Sequence, residues 1–238
     1  MRDVVLAVES LKLTYGEVTA VADVSFTVYR GRTVALVGRN GAGKSTTLAG
    51  IAGLLPAAAG RVTLQGIDVT RFAAHRRVEL GLGFVQEGKR IFRSLTVAEN
   101  LRLGLPSGYR SGAAAAEILD ELYERFPSLA DRRRQSAASL SGGQQQMVAI
   151  ATALASKPTV LLVDEPSSGL APVIFDEILD TLAGLVRDGV SVILVEHQIE
   201  DVLNRIADDV IVIERGLIAL EKRTDQVTAE QIASTIFG

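Results

Sequence analysis

Several short runs in the chain are apolar at nearly every position: Thr33–Val37, Val160–Val163, Val190–Val195 and Val210–Ile213. Continuous β-branched runs of this length mark central parallel strands buried on both faces. Val4–Tyr15, Val24–Tyr29 and Arg61–Gln65 instead alternate apolar and polar residues, with glycines at the turns, as half-buried strands do. Ser45–Leu54 reads as a helix directly behind a glycine-rich loop. Between Phe72 and Pro158 the spacing turns helical, and Ala113–Phe126 places Ile118, Leu119, Leu122 and Phe126 on one face. The pattern predicts an α/β fold with a mainly parallel central sheet, an N-terminal antiparallel β lobe and an inserted helical subdomain. A single domain over residues 1–238, with the helical insertion at about 75–158, is the expected organisation. The sequence holds no internal repeat and no low-complexity linker.

Composition narrows the classes. The 238 residues are 47% hydrophobic and carry a formal net charge of −3, an ordinary globular balance that argues against a nucleic-acid partner. The densest basic cluster, Asp131–Arg134, reads as a solvated helix end before a loop. With no cysteine, disulfides, thiolate zinc sites and cysteine nucleophiles are excluded. No secretory signal is expected at Met1–Glu9, and the apolar run around Thr47–Gly60 is broken by Pro56. Any membrane role is therefore expected to need a partner.

The chemistry concentrates in a few motifs. Gly38–Ser45 reads GRNGAGKS, the G-x-x-x-x-G-K-[ST] spacing of a P-loop NTPase, set between a strand and a helix. Its glycines let the backbone fold around a β-phosphate with N–H groups inward. Lys44 would supply a point charge to the β/γ oxygens, and Ser45 a hydroxyl to Mg²⁺. Gly38, Arg39, Asn40, Gly41, Ala42, Gly43, Lys44, Ser45 and Thr46 form the expected ATP-binding segment. Val160–Pro166 reads VLLVDEP, so two acids emerge at the carboxyl edge of a buried strand. Asp164 is the expected Mg²⁺ holder, and Glu165 would orient or deprotonate an attacking water. Leu140–Leu154 reads LSGGQQQMVAIATAL, with Ser141 in N-cap position and Met147, Ile150, Ala151 and Leu154 at helical spacing. Alone, this is either a second anion seat or a plain capped helix start.

Together the phosphate loop, VLLVDEP and LSGGQ at Leu140–Gln144 resemble the nucleotide-binding domains of ABC proteins, over essentially the whole chain. The resemblance implies that two such domains meet head to tail. Ser141, Gly142, Gly143 and Gln144 would then serve the ATP of a partner subunit. Gln86 resembles the glutamine that reaches the Mg²⁺/water region, and His197 the switch histidine at the γ-phosphate. Glu165, His197 and Lys44 are thereby the implied catalytic residues, and Ser45, Gln86 and Asp164 the implied metal site. Tyr15 resembles the aromatic residue that stacks on adenine, although an ordinary strand tyrosine stays open. His75 matches nothing and reads as surface.

Gln86–Leu101 and Pro166–Ile178 resemble the LivF-type ATPase of branched-chain amino acid importers. Ala171, where many ABC proteins have Asp, fits that subfamily. His197, where it often has Gln, Thr152, where Arg is frequent, and the tail from Glu221 depart from it. The resemblance implies an ATPase at the cytoplasmic face of the plasma membrane. Its partners would be a second ABC ATPase (as homodimer or heterodimer), two transmembrane permeases and, indirectly, an extracytoplasmic substrate-binding protein. Urea, amides or another small polar solute as cargo, or a soluble non-transport ATPase, stay open. The stretch Glu87–Asn100 is the implied permease-facing edge, with Ile91 and Phe92 either exposed there or tucked into the helical lobe.

Overall fold

A computed structural model of the chain describes residues 3–109 and 111–237. The strands are β1 (Val4–Tyr15), β2 (Val18–Tyr29), β3 (Thr33–Val37), β4 (Ala59–Leu64), β5 (Ile67–Asp68), β6 (Leu82–Val85), β7 (Val160–Asp164), β8 (Ser191–Val195), β9 (Asp209–Glu214) and β10 (Leu217–Arg223). The helices are α1 (Lys44–Ile51), α2 (Ala74–Glu79), α3 (Val97–Leu103), α4 (Ala113–Arg125), α5 (Pro127–Ala130), α6 (Gly142–Leu154), α7 (Pro172–Arg187), α8 (Ile199–Arg205) and α9 (Ala229–Phe237). The strands join in the order β5-β4-β1-β2-β10-β9-β3-β8-β7-β6. β9, β3, β8, β7 and β6 run parallel, whereas β2, β1, β4 and β5 are antiparallel neighbours.

The alternation of strand side chains explains why the parallel strands read as unbroken apolar runs. Ala35, Val37, Leu161, Val163, Val192 and Leu194 enter one core with α4, α6 and α7. Val34, Leu36, Val160, Leu162, Ile193 and Val195 enter the other, with α1 and the N-terminal lobe. Both faces of β3, β7 and β8 are thus covered, and each of their residues is buried.

Two features differ from the sequence reading. Leu82–Val85, inside the stretch expected to be helical, is strand β6 and pairs in parallel with β7. It is short and interrupted by Gly83, too little for a period to declare itself. The second strand is also twice the length the alternation suggests, running from Val18 to Tyr29. The Asp131–Arg134 cluster follows α5 in a turn, as expected, and its Arg133 carbonyl accepts the Ala98 N–H at the start of α3.

Arg77 on α2 is 2% exposed, and its guanidinium donates to the carbonyls of Gly50, Ile51, Thr70 and Phe72. It therefore caps the last turn of α1, the helix behind the phosphate loop, and ties that turn to the chain leading into α2. Burial lowers its pKa from the usual value.

Candidate active site

The phosphate loop folds as its spacing requires. Gly38 has φ 149, and a Cβ there would lie 2.2 Å from the Ile213 carbonyl oxygen. Gly43, at φ 110, would place one 2.8 Å from the Ala20 oxygen. Only glycine satisfies both positions. The loop delivers Lys44 and Ser45 to the first turn of α1, where free N–H groups favour an anion.

Lys44 is 4% exposed, and its ammonium donates to the carbonyls of Gly38 (2.9 Å) and Arg39 (3.2 Å). Burial lowers its pKa, while Glu165 and Asp164 nearby oppose the shift. Ser45 Oγ donates to Asp164 Oδ1 at 2.9 Å, joining residues 119 apart in sequence. Asp164 ends β7 in burial, which pushes its pKa up to about 6; Glu165 and Glu87 add to that, and the Ser45 bond and Lys44 oppose it. Among the described residues no three acidic or imidazole groups cluster as a complete metal cage. A buried carboxylate beside a hydroxyl, all oxygen and only part of a shell, fits a hard divalent cation that shares substrate phosphates and water.

Glu165 follows with φ 44, an uncommon conformation for a residue with a side chain, and its N–H donates to the Val195 carbonyl at 2.9 Å. Glu165 Oε1 lies 2.8 Å from His197 Nε2, at the end of β8. A pocket of about 310 Å³ gathers Asn40, Lys44, Ser45, Thr46, Glu165 and Glu87. Lys44, Ser45, Asp164, Glu165 and His197 are thus brought together from three adjacent strand ends.

Other expected positions fall elsewhere. Gln86 lines a second groove, of about 540 Å³, with Arg90, His75, Leu103 and Thr152. Glu87, which the sequence reading placed at the start of the permease-facing edge, lines the phosphate-loop pocket. Tyr15 is 56% exposed at the β1–β2 turn, paired with the still more open Val18. Ile91 packs on the helical core while Phe92 is exposed, so the two readings of that loop divide between them. Ala171 caps α7 without a side-chain bond, with Pro172 starting the helix.

Ser141 caps α6 in a reciprocal box: its Oγ accepts the Gln144 N–H and its own N–H donates to Gln144 Oε1. Gly142 and Gly143 follow in the first turn, and none of Ser141–Gln144 lines the phosphate-loop pocket. A Cβ on Gly143 would sit 2.4 Å from Ile174 of α7. Within one chain, then, the two anion-favouring helix starts form separate sites.

The ABC transporter family pattern matches residues 21–168, more than half of the chain. The chain belongs to this family. A high-affinity branched-chain amino acid transport ATP-binding protein, BraG of Pseudomonas aeruginosa, is 40% identical over 216 residues, covering 90% of this chain and 91% of its own length. The lipopolysaccharide export ATP-binding protein LptB of Haemophilus influenzae is 31% identical, with 98% and 96% covered. A dimeric ATP-binding cassette solved in a post-hydrolysis state with ADP and Pi bound superposes with TM-score 0.82 at 28% identity, over 92% of this chain and 98% of its own. The protein is an ATPase, the ATP-binding subunit of an ABC transporter. Among its described residues no helix is long and apolar enough to cross a membrane.

Proposed function

We propose that this ABC ATPase powers import of branched-chain or other hydrophobic amino acids, through two cassettes that close head to tail on ATP. The cargo is inferred from the 40% identity to BraG, and the observation that carries the head-to-tail closure is the separation just described. The phosphate loop, Asp164, Glu165 and His197 form one site, and the capped start of α6 stands apart from it with its own free N–H groups. Each needs a complement that a second cassette supplies.

In this reading Gly38–Thr46 wraps the triphosphate, Tyr15 offers a face to adenine, and Lys44 exchanges its loop carbonyls for β/γ oxygens. Ser45 and Asp164, with Gln86 brought in on closure, hold Mg²⁺, which supplies charge neutralisation at the phosphates when bound. Glu165 accepts the proton of the attacking water, and the His197 imidazole contacts the γ-phosphate while keeping the Glu165 carboxylate aimed. Ser141, Gly142, Gly143 and Gln144 close over the nucleotide of the partner. The groove containing Gln86 and Arg90 receives a permease helix at the cytoplasmic face of the plasma membrane. The permease pair is served in turn by an extracytoplasmic binding protein.

The cargo is tested by assembling the chain with its permeases, second ATPase and binding protein in vesicles. ATP-dependent uptake of labelled leucine, abolished by Glu165→Gln, supports the proposal. ATP-dependent uptake of urea or an amide but no amino acid would transfer the reading to a small polar solute. Assembly with no permease at all would leave a soluble ATPase.

A further inference from the structure

Glu196 has no part in the chemistry above, yet it is 1% exposed beside it, more deeply buried than Asp164. Its Oε1 accepts the Ser167 N–H at 2.8 Å, and its Oε2 accepts the Ser167 hydroxyl at 2.8 Å and the His197 N–H at 3.0 Å. Every partner is a donor, so a carboxylate meets the need with its lone pairs. No lysine or arginine of the described residues pairs with it.

The location matters more than the burial. β7 and β8 pair up to Asp164 and Val195, and the Glu165 N–H adds one more bond to Val195. Beyond that rung the two strands diverge, one into the loop after Glu165 and the other into His197. Glu196 is the fastening that continues the lock past the sheet edge, between the segments that carry Glu165 and His197.

The loop it holds leads into α7, and the two pack against the start of α6. Ser168 O accepts the Lys89 ammonium at 3.1 Å. Leu170 Cδ2 would stand 3.3 Å from a Cβ on Gly142, and Ile174 presses on Gly143 more closely still. A continuous packed path therefore runs from the Glu165–His197 pair through Glu196 and Ser167 to the helix start that faces a partner.

We propose that Glu196 is a positioning residue: it sets the Glu165–His197 pair and, through Ser167, makes that pair's geometry depend on how Gly142–Gly143 is seated. Engagement of a neighbour's nucleotide at α6 then promotes hydrolysis at the chain's own site, a step that rests on the head-to-tail reading. A Gln at this position keeps only one acceptor oxygen, and whichever way its amide turns an N–H₂ faces a backbone N–H, so the bond from either His197 or Ser167 fails and the link is cut.

Steady-state ATP hydrolysis by the full chain tests this with Glu196→Gln, Ser167→Ala and the double variant. The expected result is a fall in kcat of about tenfold for Glu196→Gln with KM for ATP nearly unchanged. Ser167→Ala, which removes only a hydroxyl and keeps the test open if Glu196→Gln folds poorly, shifts kcat the same way. The double variant loses no more than the worse single, because both act through one link. The dependence of rate on ATP also becomes less cooperative. Wild-type kcat in the folded single variants, or a raised KM with kcat preserved, overturns the proposal. ATP-driven pairing of a Glu165→Gln chain is scored alongside. If that chain pairs while Glu196→Gln hydrolyses normally, the positioning role alone fails; if it never pairs, the head-to-tail reading fails and takes the coupling with it.

Discussion

Replacing Ser141 by Ala separates two effects that the structure assigns to one hydroxyl. In the single chain, Ser141 Oγ accepts the Gln144 N–H at 3.3 Å and the return bond measures 3.1 Å, both on the long side. Losing this cap costs about 0.5–1 kcal/mol of stability, the lower part of the usual range. For a domain of this size that lowers Tm by roughly 2–4 °C at most. Across a closed pair the same hydroxyl would donate to the γ-phosphate of the partner's nucleotide. A charge-assisted bond of that kind is worth about 1.5–3 kcal/mol, hence about 3–6 kcal/mol over two sites. The dimer constant then weakens by roughly 10²–10⁴-fold. Converting a switch from 1:99 to 99:1 takes roughly 5.5 kcal/mol, whereas a bare helix N-terminus supplies about 0.3–1, so the hydroxyls carry much of the drive. Sedimentation of Ser141→Ala in the Glu165→Gln background, with and without MgATP, measures the pairing, and a fluorescent ATP analogue measures binding to the separated chain. Pairing is expected to collapse while the separated chain binds ATP normally, since Lys44 and Ser45 lie on the same chain as the nucleotide. A pairing constant that moves by no more than the cap's small contribution, or nucleotide binding that falls equally, would mean that Ser141 does not grip a partner's nucleotide.

Arg77→Met strands four carbonyls that its guanidinium now satisfies, and is expected to destabilise the fold by about 3 kcal/mol or more in denaturant titration. Gly38→Ala drives a methyl against the Ile213 carbonyl and is expected to abolish ATP binding in a folded protein, read by equilibrium dialysis and circular dichroism. Asp164 titrates near 6 when folded against 3.8 in the open chain, so its ionised form costs stability above that pH and the cost fades as pH falls. Asp164→Asn is therefore expected to raise Tm of the metal-free protein at about pH 8, with the gap narrowing below about pH 6 and closing only by about pH 4. The apparent affinity for Mg²⁺ should decline over the same interval as protons compete.

The buried parallel strands β3, β7 and β8 were legible because both faces are covered and every residue is apolar or small except Thr33 at the start of β3 and Asp164 at the end of β7. The cap at Ser141 was legible for a local reason, since its partner Gln144 is three residues away. β6 escaped because it has four residues and a glycine, and its strand character comes from pairing with β7. Arg77 escaped because the α1 carbonyls of Gly50 and Ile51 that draw it inward lie more than twenty residues away, and nothing local marks an arginine for burial. Glu87 and Glu196 stand next to Gln86 and His197, the positions the family pattern emphasises. Their roles follow from which way a strand end points, and a period-two register slipped by one residue would exchange them. The juxtaposition of Ser45 with Asp164 is the intermediate case: motif spacing named both residues, and only the sheet order placed them 2.9 Å apart.

In the head-to-tail pair, each nucleotide is gripped by Lys44 of one chain and Ser141 of another. Mixing a Lys44→Ala chain with a Ser141→Arg chain tests it directly. Each variant alone has no complete site, whether the two residues act within a chain or across a pair. Only cross-chain sites allow a mixed pair to rebuild one intact copy, from the phosphate loop of the second variant and the α6 start of the first. Single-turnover ATP hydrolysis in the mixture is expected to rise well above that of either protein alone. A mixture no more active than the sum of its parts would contradict the head-to-tail site.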